Sequence, residues 1–438
     1  MHADTVLHPR WIIPVQPHAQ VLEGHSLVIR DGQIAAILPT AEARTLDARA
    51  IELPSHVLLP GLVNAHTHVA MNKLRGVADD LPLMTWLSEH IWPLEGRFLA
   101  DDFVHDGSRF AMGELIRGGV TCFNDMYFFP EATIRAAQDA GLRASIGLPV
   151  IDFPTPWGAG PDEYISKGLA LRDEWSEHPM VSFMLAPHAP YTVSDEPLQR
   201  IRMLADQLEI GVHMHVHETA FEVMDAVQKT GERPLARLER LGLLNEKFLA
   251  VHMTQLTEDE MGLIAERGVH IAHCPESNLK LASGIAPIAR LKAMGINVAI
   301  GTDGAASNND LDLLGETRTA ALLAKGFSGN AAAVPAPEAL YMATLGGARA
   351  LGLDDRIGSL EPGKAADLIA VDLGHIETQP LYDPIAQVIY AAGRHQVTHS
   401  WVAGRMLMNE RRLLTLEEDA LLANAALWNA RIMEWKQA

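Results

Sequence analysis

The chain opens on short stretches in which apolar and polar residues alternate. Ser26-Leu27-Val28-Ile29-Arg30-Asp31-Gly32-Gln33-Ile34 reads as a strand, an Asp-Gly turn and a second strand. The same texture returns late in the chain, in Ala366-Asp367-Leu368-Ile369-Ala370-Val371-Asp372 and in Thr398-His399-Ser400-Trp401-Val402-Ala403-Gly404-Arg405. Chain ends commonly lie close together, so residues 1–57 and 358–438 are expected to form one small β domain around a long inserted middle. Residues 416–437 read as a helix that packs onto the body or onto a partner.

The middle, residues 58–357, repeats apolar strand-like runs separated by helix-like stretches. The runs fall at 57–66, 120–126, 143–151, 181–187, 210–215, 248–252, 269–273 and 298–303. Segments 196–208 and 259–267 show apolar residues at helical spacing between them. Several runs are apolar at nearly every position, as expected for strands covered on both faces. Eight such strands predict a (β/α)8 barrel. A doubly wound sheet is the rival, but no Gly-rich phosphate turn follows the first strand.

Composition narrows the partners. The chain has 438 residues with 35 Lys+Arg against 55 Asp+Glu, a formal charge of −20. That sign repels nucleic acid and anionic membranes, so neither is expected as a partner. Two cysteines, Cys122 and Cys274, exclude a disulfide framework and four-Cys zinc knuckles. No apolar stretch reaches the roughly 20 residues needed to span a bilayer. With no secretory signal legible at the N-terminus, a cytoplasmic protein is the expectation.

Twenty histidines are the unusual feature, and several stand where a barrel places its active site, at the C-terminal strand ends. The first run ends Asn64-Ala65-His66-Thr67-His68, and residues two apart on a strand share a face. Two imidazoles on one face suit a borderline divalent metal such as zinc. The fifth run ends His213-Met214-His215-Val216-His217-Glu218; periodicity does not choose among its histidines, and His213 and His217 also read as buried barrel residues. Glu218, at the strand exit, suits acid–base work beside a metal. His252 and His273 end the sixth and seventh runs, and Gly301-Thr302-Asp303-Gly304 ends the eighth. Asp303 alone also reads as a helix cap.

Together, Pro60-Gly61-Leu62-Val63-Asn64-Ala65-His66-Thr67-His68, His215-x-x-Glu218, His252 and Gly301-Thr302-Asp303-Gly304 resemble the amidohydrolase superfamily over nearly the whole chain. The stretch 358–368 is similar to that family's return into its small domain. The resemblance implies a metal-dependent (β/α)8 barrel flanked by a small β-sandwich formed from both chain ends. Binuclear members bridge two ions with a carboxylated lysine on strand four; the fourth run here holds no lysine, so one ion is expected. By the resemblance, His66, His68, His215 and Asp303 hold one Zn2+, with Fe2+ as the alternative. His252 hydrogen-bonds the attacking water, Glu218 protonates the substrate ring, and Asp303 passes on the water's proton.

Further segments resemble the 5′-methylthioadenosine/S-adenosylhomocysteine deaminase family: Trp92-Pro93-Leu94-Glu95, Ala186-Pro187-His188-Ala189-Pro190-Tyr191, His273-Cys274-Pro275-Glu276-Ser277-Asn278 and Gly304-Ala305-Ala306-Ser307-Asn308-Asn309. This implies that Glu95 accepts from the ribose hydroxyls and that His188 contacts the nucleoside. The vicinity of strand three offers only Arg143 as a clamp for a homocysteine carboxylate; the loop Asp152-Phe153-Pro154-Thr155-Pro156-Trp157 is apolar instead. Methylthioadenosine or adenosine is therefore expected to be preferred over S-adenosylhomocysteine, with Phe153 and Trp157 against the methylthio group or closing the barrel top. The rival is a deaminase or chlorohydrolase of a free base (guanine, cytosine) or an s-triazine. A homo-oligomer, dimer or tetramer, is expected from related proteins.

Overall fold

The computed structural model describes residues 3–437; residues 1, 2 and 438, assigned above to the terminal β domain, lie outside the described residues. The N-terminal segment forms β1 (Thr5–Ile12), β2 (Leu22–Glu23), β3 (His25–Arg30), β4 (Gln33–Pro39) and β5 (Arg49–Pro60). Eight strands follow: β6 (Leu62–Thr67), β7 (Val120–Met126), β8 (Arg143–Val150), β9 (Val181–Pro187), β10 (Gly211–Val216), β11 (Phe248–His252), β12 (His270–His273) and β13 (Val298–Ile300). The chain returns through β14 (Leu368–Asp372), β15 (Val397–Val402), β16 (Arg405–Asn409) and β17 (Arg412–Leu413).

The two ends do meet. Their strands pair in the order β17-β16-β15-β14-β5-β1-β3-β4, with β2 on β1, and the seam is the antiparallel pair β14–β5. The Asp-Gly turn is present: Arg30 pairs with Gln33, and Asp31 and Gly32 have φ of 51° and 77°. Gly32 is also needed for closeness, since a Cβ there would lie 2.7 Å from the Ala403 carbonyl oxygen. Leu7, Ile34, Leu58, Leu368 and Trp401 share one core. Strands distant in the sheet thus enclose a common interior, and the sheet curls over itself.

The middle eight strands form one parallel sheet in chain order, β6 to β13. Every residue of β7 and β8 is buried, as outer helices and an inner core require. The first and last strands are joined by side chains: Asn64 Nδ2 donates to Thr302 Oγ1 at 2.8 Å, and Thr302 N donates to Asn64 Oδ1 at 3.1 Å. Asp303 N donates to the His66 carbonyl at 3.0 Å. This closure places the two chemically richest strand ends side by side.

Two strands differ from the sequence reading. The run 57–66 is two strands, β5 in the terminal sheet and β6 in the barrel, divided at Gly61. A Cβ at Gly61 would fall 2.0 Å from Thr121 Oγ1, so the chain changes sheets where only glycine fits. The last strand stops at Ile300, and Asp303 lies beyond it with φ of 61°. The expected helices occur as Asp195–Leu208, Glu258–Arg267 and Glu418–Gln437. The last buries Leu421, Trp428 and Ile432, and Trp428 Nε1 donates to Asp106 Oδ2 at 2.9 Å. Among the described residues, no helix is long and apolar enough to cross a membrane.

Candidate active site

The imidazoles of β6 and β10 converge with Asp303 at the C-terminal mouth of the barrel. His66 Nε2 and His68 Nε2 lie 3.3 and 3.2 Å from Asp303 Oδ1. His215 Nε2 is 3.2 Å from His66 Nε2. His68 Nδ1 donates to the Met126 carbonyl at 2.5 Å, and His215 Nδ1 donates to the His188 carbonyl at 2.7 Å. Both bonds orient the ring so that Nε2 faces the centre, the usual outer support of a metal-ligating histidine. Burial pushes His215 well below the ordinary histidine value, so its ring is neutral with a lone pair to give. Among the described residues, donor atoms fall within 4.8 Å of one another in two overlapping sets, His66–His68–Asp303 and His66–His215–His252. Distance alone does not separate His252 from the ligands.

Asp303 is held from every side. Its Oδ2 accepts from Ser277 Oγ at 2.7 Å and Ser307 Oγ at 2.9 Å, and its Oδ1 accepts from Gly304 N at 2.8 Å. Burial works against its charge, but the bonds to His66 and His68 outweigh it and hold the carboxyl well below the usual range. Helix capping does not account for this arrangement.

Glu218 is buried with its Oε2 3.7 Å from His252 Nε2, and its Oε1 accepts from Ser283 Oγ at 3.2 Å. Burial raises its pKa, the direction a proton donor at neutral pH requires. Its backbone is clamped by Glu222, whose carboxylate accepts from His217 N at 3.1 Å and Glu218 N at 2.7 Å. Burial pushes Glu222 itself up to about 7. His252 Nδ1 donates to Asn278 Oδ1 at 2.8 Å, which turns the bare Nε2 toward Glu218.

The other histidines divide cleanly. His213 stands behind the cluster, its Nε2 2.9 Å from His66 Nδ1 and its Nδ1 3.1 Å from Asn124 Nδ2. His217 accepts from Leu235 N and donates to the Gln255 carbonyl, a structural role. His273 is buried with neither ring nitrogen partnered among the described residues, and burial pushes it down to about 3.

A cavity of about 360 Å³ opens over this cluster and reaches Glu95 and His188. Glu95 arrives on a helical segment containing a π-helical turn, Trp86–Ile91. The wider turn keeps Leu83, Leu87, Ile91 and Glu95, spaced by four, on the face that lines the cavity. Tyr127 O–H donates to Glu95 Oε1 at 2.6 Å. Burial raises Glu95, and the bond from Tyr127 opposes that rise. His188 has its Nδ1 2.9 Å from Thr192 Oγ1 and is pushed down to about 3 by burial. No lysine or arginine lines the cavity among the described residues.

Two expectations for the substrate's tail are corrected. Phe153 lines the cavity, edge-on to Trp92 with centroids 6.4 Å apart. Trp157 does not reach it: the ring stacks on Tyr164 at 5.8 Å, and its Nε1 donates to Glu131 Oε1. Arg143 begins β8, at the far end of the barrel, and is buried in an ion pair with Asp367. Ser277, Asn278, Glu222 and Tyr127 were not singled out by sequence reasoning, although the first two sit inside a segment quoted for its resemblance.

A family model described as the amidohydrolase family matches residues 57–407. A protein of Teredinibacter turnerae named 5-methylthioadenosine/S-adenosylhomocysteine deaminase is 48% identical over 431 residues, covering 98% of each chain. A crystal structure of an adenosine deaminase from Xanthomonas campestris with bound zinc superposes with a TM-score of 0.98 at 53% identity, covering 99% of each chain. An atrazine chlorohydrolase from Arthrobacter aurescens complexed with zinc superposes with a TM-score of 0.91 at 25% identity, covering 97% of this chain and 99% of that one.

Proposed function

Because the chain belongs to the amidohydrolase family, we propose that it deaminates an adenosine-type nucleoside hydrolytically, giving the inosine analogue and ammonia. One observation carries this reading. The cavity is lined both by the convergent histidine–aspartate cluster with Glu218 and by a fixed carboxylate, Glu95, so a purine and its ribose are addressed together.

The donor set fits a zinc-type ion. Three Nε2 atoms and a carboxylate oxygen are linked through contacts of 3.2 to 3.3 Å, and the Nδ1 bonds of His68 and His215 turn their Nε2 atoms toward the centre. We assign His66, His68, His215 and Asp303 as the ligands of one Zn2+, with Fe2+ as the alternative. When bound, such an ion lowers the pKa of a coordinated water toward about 7. Glu218, whose pKa burial raises, donates to the ring nitrogen beside the amino-bearing carbon and makes that carbon electrophilic. His252 Nε2 accepts a hydrogen bond from the attacking water and orients it. The water's first proton restores the one Glu218 has given up, and Asp303 takes its second proton and delivers it to the amino group, which leaves as ammonia. Glu95 accepts from the ribose hydroxyls, which suit a carboxylate because each of its oxygens accepts. His188 contacts the nucleoside from the loop after β9.

Walls without a cationic side chain favour 5′-methylthioadenosine and adenosine over S-adenosylhomocysteine, whose tail carries charge. Residues 61–357 are assigned as the catalytic unit, since every cavity-lining side chain comes from them, and 1–60 with 358–438 as the supporting sandwich. The boundary moves from the expected 57/58 because Leu58, Leu59 and Pro60 pair with β14. A cytoplasmic homo-oligomer completes the proposal; exposed Leu422, Leu427 and Met433 on the last helix support association, which light scattering tests.

The test is absorbance during incubation of zinc-loaded protein with 5′-methylthioadenosine. Conversion of the adenine to the hypoxanthine chromophore, lost in Glu218→Gln, supports the reading. A protein that binds one zinc per chain and leaves nucleosides unchanged, yet hydrolyses a free base or triazine, refutes it.

A further inference from the structure

Two consecutive residues at the end of β7 each hold a side chain that lines the cavity. The Met126 carbonyl accepts from His68 Nδ1 at 2.5 Å, and the next residue, Tyr127, donates its phenol O–H to Glu95 Oε1 at 2.6 Å. Tyr127 is 6% exposed, and its ring centroid lies 6.4 Å from that of His68. The helical segment that carries Glu95 otherwise meets the barrel through apolar packing, with Trp86, Ile91 and Leu94 in one buried cluster with Tyr127. Apolar contacts fix distance loosely because they are non-directional. The phenol–carboxylate bond is directional and charge-assisted. It occupies Oε1 of this cavity-lining residue and leaves Oε2 without a hydrogen bond among the described residues.

We propose that Tyr127 is a positioning residue that confers selectivity for ribonucleosides. By tying Glu95 to the strand end that also anchors His68, it sets the spacing between the ribose-binding carboxylate and the reacting ring. A substrate whose diol bonds Glu95 is then carried into register at the histidine cluster, and a substrate lacking the diol gains nothing from that spacing. This inference rests on the nucleoside reading above.

The experiment compares zinc-loaded wild type and Tyr127→Phe on adenosine and 2′,3′-dideoxyadenosine, which differ only in the diol. Phenylalanine keeps the ring packing and removes the donor. With adenosine, KM is expected to rise about tenfold, the size of one lost hydrogen bond to a charged group, while kcat stays within about threefold. With the dideoxynucleoside, kcat/KM is expected to change less than about twofold, so the ribose preference falls about tenfold. Zinc content and melting temperature are expected to match wild type. Equal losses on both substrates, an unchanged preference, or loss of zinc or fold in Tyr127→Phe overturns the proposal. Wild type that deaminates neither nucleoside overturns the nucleoside reading and this inference with it, so the two failures are distinct.

Discussion

Arg143 and Asp367 form a buried, two-pronged ion pair: Nε donates to Oδ2 at 2.9 Å and Nη2 donates to Oδ1 at 3.3 Å, with the side chains 4% and 1% exposed. Arg143 opens β8 at the barrel face opposite the site, and Asp367 immediately precedes β14 and also accepts from Ala403 N at 2.7 Å. The pair therefore joins the barrel to the terminal sheet. Arg143→Leu leaves Asp367 buried without its partner, and stability is expected to fall by about 3–5 kcal/mol. Urea unfolding checks this; kcat/KM per folded molecule is expected to stay at the wild-type value.

Ser277 and Ser307 both donate to Asp303 Oδ2. Removing such an outer support of a ligating carboxylate typically costs about 10- to 100-fold in metal affinity or activity. Ser277→Ala is expected to lose zinc to a competing chelator at a concentration lower by about that factor. Retention equal to wild type would assign Ser277 no part in holding the ion.

The cavity wall predicts the order of 5′-substituents. Wild type is expected to show higher kcat/KM for 5′-methylthioadenosine and adenosine than for S-adenosylhomocysteine. Phe153, exposed at the cavity edge, is the position from which a guanidinium reaches a charged tail. Phe153→Arg is expected to raise the S-adenosylhomocysteine to methylthioadenosine ratio of kcat/KM about tenfold, one charge-assisted bond. A wild-type preference for S-adenosylhomocysteine would refute this account of the wall.

Strand ends were legible because barrel chemistry concentrates there: alternation put His66 and His68 on one face, while the choice of His215 among its neighbours and the parts given to His252 and Asp303 came from the family resemblance. The closure of the terminal sheet followed from matching β texture at both ends. Other features depended on three-dimensional neighbours. Gly61 divides two strands only because Thr121 packs against it, and no local pattern marks that. Trp157 stands in an apolar loop like Phe153, yet Tyr164 and Glu131 turn its ring away from the cavity. Glu222 reads as an ordinary helix residue until its carboxylate is seen on the backbone of Glu218. Tyr127 pairs with a residue 32 positions earlier, a spacing without periodic signature.

Acid sensitivity is expected from His56, far from the site on β5. It pairs with Asp372 of β14, and its ring lies 5.8 Å from that of His399. Burial pushes His56 down to about 4, with Asp372 opposing and His399 adding to the shift. The ordinary unfolded value is about 6.5, so between about pH 4 and 6.5 the unfolded chain binds the extra proton. Stability therefore rises with pH across that window, is complete above it, and is lost as the pH falls toward 4. Buried histidines such as His273 act in the same direction, so the informative quantity is a difference. Urea midpoints from pH 4.5 to 7.5 are expected to show a shallower slope for His56→Gln than for wild type, by up to about one proton. Parallel slopes would mean that His56 titrates alike in the folded and unfolded chains, and that the β5–β14 seam does not exclude its charge.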